Sequence, residues 1–192
     1  MNEQDILDLV ARDSWMMGVL RVARSMHLPD WMIGAGFVRN KVWDHLHGYP
    51  QRIVDTADID LIYYDDNDVS QASERACDVQ LHEQFDAPWS CKNQARMHEK
   101  HGRTEQYKNS TEALSEWVET PTCVAVRLED DNTLTLFAPH GITDLVNLAV
   151  RPTPCQRGDL AHFYERIESK RWLTKWPKLR VDVSWRVEPK NV

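Results

Sequence analysis

Cysteine is scarce and scattered in this 192-residue chain. Cys77, Cys91, Cys123 and Cys155 form no CxxC pair, and their spacing suits neither a zinc ion nor a short disulfide framework. No apolar run approaches the roughly 20 residues that cross a bilayer. The opening stretch "MNEQDILDLVARDSW" is acidic and amphipathic, unlike a secretory or transit signal. Together these features lead us to expect a reduced, cytoplasmic protein without a membrane partner. Positive charge is also in short supply: 23 Lys and Arg face 30 Asp and Glu, a net charge of −7. A surface of that sign disfavours general nucleic-acid or anionic-membrane binding and leaves room only for a local basic pocket. There is no G-x-S-x-G elbow, which removes a Ser-His-Asp hydrolase of that type. Internal repeats and low-complexity linkers are missing too. The expectation is a single domain over 1–192 with enough apolar residues, 42%, to bury a core.

What is present is ordered in a legible way. Ile6, Leu7, Val10, Trp15, Val19, Leu20, Val22 and Ala23 recur at helical spacing, so residues 1–30 read as one or two helices ending near Leu28-Pro29. "WMIGAG" reads as a short strand entering a glycine turn, and "FVRNKVWDHLHG" as an amphipathic helix stopped by Gly48. "ADIDLIYY" is a strand, and "DVSQASERACDVQLHEQF" a helix capped by Asp68 or Ser70. "PWSCKNQARMHEKHG" reads as a strand passing into a helix, which completes a core over 31–100. From 101 to 181 follow a helix-prone stretch (Thr104 to Trp117), a hairpin turning at "EDDN", a helix-strand element in "GITDLVNLAVRP", and an amphipathic helix closed by Pro177. Residues 182–192 read as a tail. The order predicts an α+β fold, α/β-like in its core, with one mixed sheet flanked by helices.

Two features carry chemistry. Asp58 and Asp60 are two apart in an apolar strand, so both side chains project from one face. Like charges so close repel, and burial raises at least one pKa unless a cation lies between them. A divalent ion with oxygen ligands answers that need, which makes Asp58 and Asp60 candidate ligands for Mg²⁺, with Mn²⁺ as a substitute. The alternative leaves Asp58 in the preceding loop as a turn residue and only Asp60 in the sheet. About twenty residues earlier, Gly34-Ala35-Gly36 offers backbone N–H groups and a helix N-terminus to an anion, with Arg39 and Asn40 in the first turns behind them. Read differently, "GAGFVR" loosely matches a dinucleotide-binding G-x-G-x-x-G with Asp55 or Asp58 as its ribose acid, although Arg39 takes the third glycine's place. A tight turn that binds nothing is a further alternative.

Taken together, the glycine turn, Arg39-Asn40 and Asp58-x-Asp60 resemble the nucleotidyltransferase superfamily built on the DNA-polymerase-β-type core. From Trp31 to Asp65 the pattern is similar to the head region of tRNA CCA-adding enzymes. With "WSCKNQARMH", "APHGITDLVNLAVRP" and "RIESKRWLTKWPKL", a resemblance to bacterial nucleotidyltransferase-like proteins extends from about Trp31 to Val181. This likeness implies a nucleotidyltransferase core in which 31–100 is catalytic, Gly34 and Gly36 lie against a triphosphate, Arg39 contacts phosphate, and Asp58 and Asp60 hold Mg²⁺. It implies transfer of NMP from an NTP to the hydroxyl of a small molecule or protein. A relative that keeps the fold and binds nucleotide without chemistry is the alternative. The superfamily carries a third carboxylate on a later strand. Here that strand, "WSCKNQ", offers Lys92 and Asn93 in its place, while Asp78, Asp86 and Asp144 are acids elsewhere.

Other features are weighed on their residues. Lys92, Asn93 and Arg96 read as one wall of an anion pocket, while the charges from His98 onward read as a solvated helix face. His45/His47 and His98/His101 lack the partners a metal site needs. Arg127 and Arg151 either reach the pocket or pair with acids such as Glu129 and Asp144. The tryptophans, among them Trp43, Trp89, Trp117, Trp172 and Trp176, fall mostly on apolar faces and read as core.

Overall fold

Helix formation begins with local chemistry. In the computed structural model, which describes residues 1–50, 58–156, 158 and 160–183, helix α1 (Glu3–Ala11) starts at a reciprocal cap. The Asn2 side chain accepts from the Asp5 N–H while Asp5 accepts from the Asn2 N–H. Asp13 caps α2 (Ser14–Ser25), which buries Met16, Val19, Leu20 and Ala23. The N-terminal region is thus two helices, as one of the sequence alternatives has it. The tail from 184 onward and Asp55 lie outside the described residues.

Strand β1 (Met32–Gly34) leads through the turn at Ala35 into α3 (Gly36–His47), which Gly48 ends in the left-handed conformation at φ 71°. Strand β2 (Ile59–Tyr63), helix α4 (Gln71–Gln84, capped by Ser70) and strand β3 (Trp89–Asn93) form a crossover unit in which β2 and β3 run parallel. Helix α5 (Ser110–Ser115) is followed by the hairpin β4 (Ala125–Leu128) and β5 (Leu134–Phe137). The five strands form one mixed sheet in the order β3-β2-β1-β4-β5, with β1 antiparallel to both its neighbours. A short helix α6 (Thr143–Val146) and strand β6 (Ala149–Val150) come next. They are followed by α7 (Ala161–Ser169), α8 (Trp172–Lys175) and β7 (Arg180–Val181), with β6 and β7 paired in parallel. This is an α+β fold whose mixed sheet is as the sequence pattern predicts, with a second, two-stranded sheet of β6 and β7 that the pattern does not predict.

Alternation assigns the two faces of the large sheet. Ile33, Leu61 and Val126 pack with the apolar sides of α1 to α4 in a cluster that also takes in Phe163, Trp172 and Trp176. Met32, Ile62 and Ala125 pack on the other face with Leu114 of α5 and Cys123. Asp60 shares this second face, where it lies opposite Ser90 of β3.

Two segments differ from expectation. The helix expected over Thr104 to Trp117 shrinks to α5, because Glu112 and Glu116 turn back to hold Arg103 and the Lys108 N–H, so the approach becomes a side-chain-braced loop. After β3 the chain makes only one 3₁₀ turn, Gln94–Arg96, before further turns.

Candidate functional site

Asp60 sits on the interior strand β2, between β3 and β1, with apolar neighbours Ile59 and Leu61, and is half-buried. Burial first, and the charge of Asp58 second, raise its pKa to about 6 against the opposing pull of Arg39, Arg166 and Lys170. Among the described residues no donor hydrogen-bonds to its carboxylate. Asp58 lies one residue before β2 and is exposed. The two carboxylates are therefore neighbours electrostatically, one set in the sheet and the other at its rim.

Asp60 lines a cleft of about 490 Å³ that also includes Ala35 at the start of α3 and Thr122. The far walls include Lys100 and His101, expected on a solvated helix face, and Trp117, expected in the core, together with residues of α7 that the sequence pattern did not single out. His162 and Arg166 project from α7, Lys100 and His101 from the loop before α5, and Glu116 and Trp117 from the end of α5. Arg166 is fixed by Glu119, a fully buried carboxylate that accepts from Arg166 Nε at 2.7 Å. His101 is tied through Nδ1 to the Tyr107 hydroxyl at 2.5 Å, which donates in turn to Glu116 at 2.9 Å. Burial lowers the His101 pKa.

The glycine turn differs in detail from its sequence reading. The residue with positive φ is Ala35, at φ 52° and ψ −125°, between the two glycines. Its N–H donates to the Val124 carbonyl at 3.1 Å and is engaged within the fold. A Cβ on Gly34 would come within 3.0 Å of the Trp117 ring and 3.3 Å of the Val124 carbonyl, so this glycine admits the tryptophan against β1. Helix α3 begins without a side-chain cap, and Gly36 is its first residue.

Arg39 is buried. It donates to Thr122 Oγ1 at 2.7 Å and to Asn40 Oδ1, and its guanidinium lies 4.3 Å from the Trp172 ring centre and 5.1 Å from that of Trp43. Asn40 is also buried, with its oxygen turned to Arg39. Both residues sit beneath the cleft, and Arg39 adds positive potential there.

Lys92, Asn93 and Arg96 gather elsewhere, around Glu74 of α4. Arg96 grips Glu74 with two nitrogens, and the Asn93 N–H donates to it at 2.9 Å. Lys92 lies 3.6 Å from Asp78 and 4.0 Å from Glu74. The Asn93 side chain holds the loop after β2 by donating to the Asp65 and Asp68 carbonyls and accepting from the Asp65 N–H. The expected anion-pocket wall is here the brace of an edge strand against its helix. The cross-strand neighbour of Asp60 is Ser90 instead.

Arg127 pairs with Glu129 and Asp30, and Arg151 with Asp144 and Asp182, which resolves both toward structural pairing. His47 bridges Trp43 and Lys178, and His98 faces the Ala95 carbonyl. Among the described residues no group of three or more His, Cys, Asp or Glu converges as a metal site. Asp60 in the cleft, with the exposed Asp58 two residues before it, still fits Mg²⁺, which commonly takes one or two protein carboxylates and completes its shell with phosphate and water. None of the helices among the described residues is long and apolar enough to cross a membrane.

Residues 21–181 match the model of a family described as Nucleotidyltransferase. Among solved structures, an NMR structure revealing a CCA-adding enzyme head domain is 32% identical, covering 94% of this chain and 96% of that one, with a TM-score of 0.82. A CCA-adding enzyme in complex with CTP is 13% identical, covers 96% of this chain and 44% of its own, and has a TM-score of 0.58. The complex of a CCA-adding enzyme with ATP gives 17% identity, 96% and 43% coverage, and a TM-score of 0.51. This chain thus spans less than half the length of those two enzymes, and its likeness to them is one of fold. No curated protein matches.

Proposed function

The chain belongs to the nucleotidyltransferase family, and on that premise we propose that it moves a nucleoside monophosphate from an NTP to a hydroxyl of a small molecule or protein, with Mg²⁺ or Mn²⁺ held by Asp58 and Asp60. The observation that carries this reading is Asp60. It is a carboxylate on an interior strand, raised to about 6 by burial and by Asp58, and open to a cleft of about 490 Å³. Such a pair is costly in a fold unless a cation offsets it.

In the proposed reaction the acceptor oxygen forms a bond to the α-phosphorus. The bond from that phosphorus to the α–β bridging oxygen breaks, pyrophosphate leaves with the electron pair, and the hydroxyl proton passes to water. A bound divalent ion supplies charge neutralisation at the phosphates and acidifies the acceptor hydroxyl. Asp58 and Asp60 orient the reacting centre. The uncapped first turn of α3, behind Ala35 in the cleft wall, would meet the phosphates, and Arg39, oriented by Asn40, lends positive potential.

The test is transfer of label from α-³²P-NTPs in the presence of Mg²⁺ or Mn²⁺ and a cell lysate as the source of acceptors. Label should reach a product with the native chain and drop at least a hundredfold in Asp58→Asn/Asp60→Asn, as expected when electrostatic stabilisation of the transition state is removed. A different reading, nucleotide binding without chemistry, is favoured by one observation: Ser90 rather than an acid neighbours Asp60 on β3. Metal-dependent NTP binding with no labelled product from any NTP would select it.

A further inference from the structure

We infer that one face of helix α7, carrying His162, Arg166 and Lys170, is the polyphosphate-binding wall of the cleft. This rests on the nucleotidyl-transfer reading for its natural ligand and goes beyond it in assigning the grip to a helix remote from the glycine turn. The three residues are four apart, so they align along one side of α7, while Phe163 and Ile167 on the adjoining side enter the core. His162 and Arg166 line the same cleft as Asp60. Arg166 and Lys170 both bring positive charge near enough to lower the pKa of Asp60, and Lys170 stands one turn beyond Arg166, outside the cleft lining itself.

The arrangement is a built one. Arg166 is anchored from behind by Glu119, whose carboxylate is fully buried, so the guanidinium is positioned before any ligand arrives. Lys170 is exposed at the end of the helix and brings a mobile ammonium. On the opposite wall Lys100 and His101 add donors. Glu116, the other acid lining the cleft, is engaged by Arg103 and Tyr107. Arg39, the phosphate contact expected from the sequence, is instead stacked on Trp172 and bonded to Thr122. A polyanion entering here meets the anchored Arg166 and the mobile Lys170 on α7 and, on the other side, Asp60, which with Asp58 would hold a metal. The ligand class is therefore a linear tri- or diphosphate, free or as part of a nucleotide.

The experiment is titration of inorganic tripolyphosphate in EDTA into the native chain and into Asp58→Asn/Asp60→Asn, followed by calorimetry and thermal shift. With repulsion from the two aspartates removed and no metal present, the double variant should bind tripolyphosphate more tightly than the native chain. Adding Lys170→Ala should weaken that binding about tenfold, and His162→Ala further, as loss of charge-assisted contacts does. Arg12→Ala, an exposed cation on α1, should leave it unchanged. Both α7 substitutions are at exposed positions, which separates loss of binding from loss of folding. The inference is overturned if the double variant takes up no tripolyphosphate, or if Lys170→Ala and His162→Ala bind it as the double variant does. A chain that binds tripolyphosphate through α7 yet transfers no label keeps the stripe and loses the nucleotidyl-transfer reading. Label transfer with indifference to the α7 substitutions does the reverse.

Discussion

Ala35 holds a backbone conformation, φ 52° and ψ −125°, that a side chain disfavours and glycine accepts freely. It does so between two glycines and on the wall of the cleft, where the Val124 carbonyl fixes its N–H. From the sequence the turn is legible as a turn, but which of its three residues bears the strain is not, because that depends on how β4 and Trp117 press on β1. Gly34 is committed to Trp117, so the twist falls on the next residue. Ala35→Gly should therefore raise stability by about 1 kcal/mol, the relieved strain outweighing the extra freedom of the unfolded glycine. Urea denaturation decides it: a midpoint at or below that of the native chain would mean that the conformation is not strained.

Between β3 and α4 the side chains of Glu74, Lys92, Asn93 and Arg96 make a polar brace. Glu74 is buried and accepts from Arg96 and from the Asn93 N–H. Removing it leaves a guanidinium and a backbone N–H without their partner, and Glu74→Ala should cost about 3 kcal/mol. Lys92 is over a third exposed, and Lys92→Ala should cost no more than about 0.5 kcal/mol. Thermal unfolding compares the two, and similar losses would refute the brace. Metal-dependent NTP affinity should survive Lys92→Ala as well. This is where sequence reading met its limit. A basic run after a strand looks like an anion wall, but its target is set by α4, and Glu74 looks like any helix-surface acid until the helix is docked. The strands, the hairpin and the place of Asp60 follow from alternation and turn residues within a few positions of each other, while Asp58 falls just before β2, as the alternative of a loop position has it. The stripe on α7 had a local signature too, basic residues at i, i+4 and i+8 in "AHFYERIESK", but its direction depends on Phe163 and Ile167 finding a core about a hundred residues earlier in the chain.

At the scale of the whole molecule, the carboxylate on the interior strand β2 couples stability to pH and metal. Asp60 ionises at about 6 in the fold against 3.8 for the ordinary side chain, with burial first and Asp58 second raising it and Arg39, Arg166 and Lys170 lowering it. Between those two values the folded chain holds more of the proton than the unfolded chain does, so this group makes the fold less stable as pH rises from about 4 to about 6. Above that window the cost is constant. Asp60→Asn removes it and should stabilise the metal-free protein at pH 7.5 by on the order of 2 kcal/mol, while gaining nothing at pH 4. A divalent cation competes with the proton for the same carboxylate, so the stabilisation that Mg²⁺ with an NTP confers should be small at pH 5 and grow through pH 6 to a plateau. In Asp60→Asn that growth should vanish. Melting temperatures with and without Mg²⁺–NTP, read every half unit from pH 5 to 8, test both statements at once. A stabilisation by Mg²⁺–NTP that is flat across the range in the native chain would separate metal binding from Asp60. An Asp60→Asn protein less stable than the native chain at pH 7.5 without metal would mean that the carboxylate has a partner that keeps it charged in the fold.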